Sequence, residues 1–81
     1  MYEELKEPIE VTAVFKNGGA IPHSFWWKHR GYKVDRVNLA HQEKHGDNLL
    51  FYFSVTAEEN IYELSFEPQN LVWTLEKVWL E

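Results

Sequence analysis

The chain predicts an all-β fold: an antiparallel meander of five to six strands forming a strongly bent sheet or small open barrel. Three observations lead there. Apolar and polar residues alternate over several short stretches, which is the period of a half-buried strand. Turn-forming residues punctuate those stretches at Asn17-Gly18-Gly19, His45-Gly46-Asp47-Asn48 and Pro68-Gln69-Asn70. Finally, 81 residues make one domain, and a small meander must curl to enclose a core.

The elements follow in order. Met1 to Pro8 is an acidic N-terminal segment that can remain disordered, because Pro8 disfavours helix before it and the residues are mostly charged. Residues 9–81 form the single β domain. Ile9, Val11, Ala13 and Phe15 lie on one face and Glu10 and Thr12 on the other, giving a first strand. His23–Trp27 gives a second, with Phe25 and Trp27 on one face and Trp26 on the other. Lys28–Gly31 reads as a hairpin loop, with Gly31 suited to a left-handed backbone. Tyr32–Leu39 reads as one strand whose parity changes between Val34 and Val37, so a β-bulge is expected near Asp35-Arg36.

Leu49–Val55 is apolar on both faces and is expected at the centre of the sheet. Ala57–Asn60 turns, and Ile61–Phe66 sends Tyr62, Leu64 and Phe66 inward. The last segment, Leu71–Leu80, fits two periods. Leu71, Leu75 and Val78 have helical spacing, whereas Leu71, Trp73 and Leu75 have strand spacing. Its Trp, Val and Thr favour the strand. The alternative is an α+β fold with a C-terminal helix.

Composition narrows the function classes. No cysteine is present, so there is neither a disulfide framework nor a thiolate metal site, and a reducing cytoplasm is the expected setting. The core must come from side chains, and thirteen aromatic residues supply its bulk. No apolar run is long enough for a membrane helix, and the polar N-terminus does not read as a targeting peptide. The net charge of −5 is unevenly placed: residues 23–45 hold five of the eight Lys and Arg residues and all four histidines. One segment is basic and the remainder repels anions.

Catalytic patterns are weak. His41 and His45 share a strand face, but Glu43 sits midway between them rather than after the first histidine as in a metalloprotease motif, so that mechanism does not transfer. Ser24, Ser54 and Ser65 lack a nucleophile elbow. Gly18-Gly19 lacks the Lys-Ser/Thr of a phosphate loop. No catalytic, metal or cofactor residue is therefore assigned, and the chain is not expected to be an enzyme.

The stretch SFWWKHRGYKVDR, residues 24–36, interleaves aromatic and basic residues as single-strand nucleic-acid binders do. Trp26, Lys28, Arg30, Tyr32, Lys33 and Arg36 are its candidate binding face. The plainer reading makes Phe25, Trp27, Tyr32 and Val34 core and the cations a solvated rim. That reading is favoured, because the five Lys and Arg residues of 23–45 leave a small electrostatic footprint on an acidic domain.

Pro22, Phe25, Trp27, Tyr32, Val34 and Val37, followed by Tyr62-Glu63-Leu64 and by Trp73 and Leu75, resemble the core pattern of a small bacterial family of unknown function. Members occur alone or appended to Y-family translesion DNA polymerases and their inactive relatives. The resemblance implies an accessory role near DNA. The chain departs from the pattern at Ala40-His41, where the family often carries tryptophan, and at Lys28-His29-Arg30, where the family's loop is richer in arginine. Together these observations point to a non-enzymatic interaction module, acting through protein–protein contact or self-association. Single-stranded nucleic-acid binding through residues 24–36 is the alternative, and no membrane partner is expected.

Overall fold

The structure is a computed structural model and describes residues 1–80; Glu81 lies outside the described residues. It is all-β, with seven strands: β1 (Tyr2–Lys16), β2 (Gly19–Trp27), β3 (Arg30–Lys33), β4 (Arg36–His45), β5 (Asn48–Ala57), β6 (Asn60–Glu67) and β7 (Val72–Trp79). They form one antiparallel sheet in the order β3-β2-β1-β7-β6-β5-β4. The sheet curls into a half-barrel. The C-terminal segment is a strand, which removes the α+β alternative.

β1 determines the curl. Its first half, Tyr2 to Ile9, pairs with β7, and its second half, Glu10 to Lys16, pairs with β2. A strand that changes partner midway must bend the sheet at that point. The result is two leaves. One holds β4–β7 and the start of β1; the other holds the end of β1 with β2 and β3. The N-terminal segment is thus not separate from the domain but is half of the strand that joins the leaves. Pro8 is tolerated because β2 pairing begins two residues later, which leaves β1 open on that side.

Inward side chains of the two leaves meet. Phe25 stacks on Tyr32 at 5.1 Å and sets its edge against Tyr62, also at 5.1 Å. Trp27 packs on Tyr32 and Tyr62 while its indole N–H donates to Glu7 at 3.0 Å, satisfying its polar atom. Burial holds the Tyr62 hydroxyl above its ordinary pKa. Phe53, Val55, Leu64, Phe66, Trp73, Leu75 and Val78 complete the core. Leu75 and Val78 both face inward because a bulge at Glu76 shifts the register between β6 and β7.

Three local readings change. Tyr32–Leu39 is not one bulged strand. The chain breaks at Val34-Asp35, where the Val34 N–H donates to His23 O at 2.9 Å and the Asp35 N–H donates to Thr56 O at 2.8 Å. Those two residues carry the chain from one sheet edge to the other, so β3 and β4 are opposite edges. The bulge of this region lies at Asn38 instead. β5 is interior but next to the edge; β7 is the central strand, since the β1 switch places two strands beyond β1. Gly31 sits within β3, and the turn before it is a tight two-residue turn at Lys28 (φ 53°) and His29 (φ 63°). Glu58 (φ 49°) and Glu59 (φ 70°) make a similar turn between β5 and β6.

Two stability outcomes are expected. Tyr62→Ala removes the ring shared by both leaves, at a cost of about 3–5 kcal/mol. That is a large share of the ~4–12 kcal/mol expected for a domain this size, so urea titration should find the unfolding midpoint of the variant sharply lowered. Glu59→Gly relieves a left-handed side-chain clash and should raise stability by about 0.5–1 kcal/mol. A lower urea midpoint for Glu59→Gly would contradict the turn assignment.

Candidate functional site

The aromatic and basic residues of 24–36 do not gather on one surface. The two-residue turn pairs Trp26 with Gly31 and Phe25 with Tyr32. Tyr32 therefore points inward and is 6 % exposed. Trp26 points outward, 52 % exposed, and lies across Gly31, where an added Cβ would meet the indole at 3.6 Å. An aromatic ring covering a cross-strand glycine is a structural role in its own right. Lys33 shares this outer face through its pairing with Ser24. Arg30 lies 4.3 Å from the centre of the Tyr32 ring and pairs with Glu58; bonding to Tyr32 and then to Glu58 raises its pKa. Lys28 sits over Trp27 at 4.7 Å. Arg36 belongs to β4, at the far edge, and donates to Asn38 at 2.8 Å. Of the candidate face, Trp26 and Lys33 remain together. A groove of about 310 Å³ beside them is lined by Glu10, Thr12, Ser24 and Gly31, and carries an anion where a phosphate would need a cation.

A second groove, about 230 Å³, crosses the outer face of the larger leaf. It is lined by Glu4, Lys6, Glu43, Tyr52, Glu63, Glu76 and Lys77. Its polar groups hold one another. Lys6, bulged out of β1 at φ 51°, reaches Glu76 at 3.3 Å, and Ser65 donates to the other Glu76 oxygen at 2.7 Å. The Glu76 pairing raises the Lys6 pKa. Burial, then the neighbouring Glu76, Glu43 and Glu63 charges, raise that of Tyr52. Among the described residues no histidine or carboxylate group is gathered as a metal would require, and no helix is long and apolar enough to cross a membrane.

His41, Glu43 and His45 stand in a row on the outer face of β4. The Glu43 carboxylate accepts from both imidazoles, at 2.9 Å from His41 and 3.0 Å from His45, and these bonds, His45 first, hold it below the ordinary glutamate pKa. His41 also stacks on Tyr52 at 5.1 Å.

β4 itself is the feature that the sequence reading did not single out. It is ten residues long, pairs with β5 on one side, and is the outermost strand of its leaf. The opposite edge, β3, is four residues long. The turn that joins β4 to β5 makes His45 and Asn48 its closing pair, so alternation along the ladder turns the N–H and C=O of Ala40, Gln42 and Lys44 away from β5. Leu39, 65 % exposed, lies beside them. The signal was present: His41–His45 is polar on both faces, as an edge strand is.

No known protein family, curated protein or solved structure matches this chain. The residues that carry the family resemblance noted from the sequence lie in or against the core, apart from Glu63 on the outer face. They therefore speak to packing rather than to a site.

Two measurements check this description. Gly31→Ala should be tolerated within about 0.5 kcal/mol, whereas Trp26→Ala should cost roughly 0.5–1 kcal/mol through the lost cross-strand contact. Carbon-detected NMR titration should find Glu43 ionising below an ordinary glutamate, and His45→Ala should move it back up. An unshifted Glu43 would break the histidine–carboxylate row.

Proposed function

We propose that this chain is a small non-enzymatic interaction module that binds protein by strand addition along β4. The observation that carries the reading is the ten-residue strand paired on one side, with the backbone groups of Ala40, Gln42 and Lys44 turned outward. An extended segment docking there gains main-chain hydrogen bonds directly, and Leu39 adds apolar contact. The hydroxyl, imidazole and carboxylate groups nearby are engaged with one another: Ser65 with Glu76, and both edge histidines with Glu43. The nucleic-acid reading draws less support, since Tyr32 is core, Arg30 is paired with Glu58, and the Trp26 groove carries Glu10. If the translesion-polymerase association implied by the resemblance holds, β4 is the surface we assign to it.

Gln42→Pro is the direct test. It removes an N–H that points away from β5, so the β4–β5 ladder keeps its bonds and the melting temperature should fall by no more than about 3 °C. Cross-linking mass spectrometry in cell extract should lose the partners that attach along β4. Unchanged partners, or partners attached at residues 24–36, would overturn the assignment.

A further inference from the structure

Building on strand addition at β4, we infer that the added strand is the β4 of a second copy of this chain, running antiparallel about a two-fold axis at Gln42. Strand register selects this partner. The regular part of β4 runs from Leu39, just after the Asn38 bulge, to His45 at the turn, and Gln42 is its midpoint. Along it, Leu39, His41, Glu43 and His45 take the outer face, with Tyr52 and Leu50 of β5, while Ala40, Gln42 and Lys44 take the inner face, with Phe51 and Phe53.

Residues opposite each other in an antiparallel pair must share a face, and like charges opposite each other are unfavourable. Centring on Gln42 places His41 opposite Glu43 of the second copy, twice, in the closely spaced pairs where side chains approach best. It places Gln42 against Gln42, whose amides can each donate and accept. It sets Ala40 opposite Lys44 and Leu39 opposite His45. The outward N–H and C=O groups of Ala40, Gln42 and Lys44 then meet their counterparts in hydrogen-bonded pairs. Other registers do worse. Centring on Glu43 or Lys44 opposes that residue to itself as like charges. Centring on His41 opposes two imidazoles. Centring on Ala40 runs into the Asn38 bulge after two residues. Charge and register together select one self-complementary arrangement, as a two-fold interface requires.

The chain lacks cysteine, so single cysteines report without background. Gln42→Cys faces its own copy at about 5.5 Å between Cα atoms, within disulfide reach. Ala40→Cys and Lys44→Cys are each displaced from their own copies by about 13 Å, out of reach alone, but face each other when mixed. Under mild oxidation Gln42→Cys should form dimer at least about tenfold faster than Ala40→Cys or Lys44→Cys alone, and an equimolar mixture of those two, in which about half of the pairings are mixed, should reach about half its rate. Sedimentation should show wild-type dimer growing with concentration up to about 1 mM, and Gln42→Pro remaining monomeric. Equal oxidation rates for the three single variants, or wild type monomeric throughout, overturn the second-copy assignment. Strand addition falls separately, when Gln42→Pro leaves the partners captured from extract unchanged.

Discussion

The rest of this structure depends on the change of partner within β1. A strand shared along its whole length by two neighbours would make a flat, continuous sheet. Here β1 gives its first half to β7 and its second half to β2. The two leaves fold toward each other as a result, and an 81-residue chain encloses a core without disulfides. The ring cluster of Phe25, Trp27, Tyr32 and Tyr62 is the seam of that closure.

The same switch decides what is left open. The chain must travel from β3 at one edge to β4 at the other, and Val34-Asp35 does so by bonding to β2 and β5 in turn. That joins the edges at one corner only. Away from it β4 continues along β5 to His45 with a free outer side, while β3 ends after four residues. The proposed docking surface follows from topology: it is the edge that the curl did not close. Most of the basic stretch 24–36 belongs to the seam, where Phe25, Trp27 and Tyr32 are taken up by packing and Arg30 by Glu58, while Trp26 covers Gly31 from outside.

Much of the fold was legible because alternation is a local property. β5 and β6, the inward residues of β1 from Ile9 onward and the strand nature of β7 could be read from period alone. The first half of β1 could not, since its inward positions include Glu3 and Glu7 around the lone apolar Leu5, and the bulge at Leu5-Lys6 interrupts the ladder. The parity change at Val34–Val37 was visible, but a bulge and a crossing between sheet edges look alike in one dimension. The candidate face suffered from loop length. A four-residue loop at Lys28–Gly31 would close on Trp27 and Tyr32, whereas the two-residue turn, built from Lys28 and His29 without glycine, pairs Tyr32 with Phe25 and buries it. The β4 edge was overlooked because which polar strand lies outermost depends on the whole sheet order.

The most direct measurement is amide hydrogen exchange along β4, residue by residue, at low and high protein concentration. Protection should alternate along the strand. His41, Glu43 and His45, bonded to β5, should be protected at every concentration, while Ala40, Gln42 and Lys44 should exchange freely when dilute and become protected together as concentration rises. Free exchange of those three amides at every concentration would contradict it and leave β4 an ordinary solvated edge.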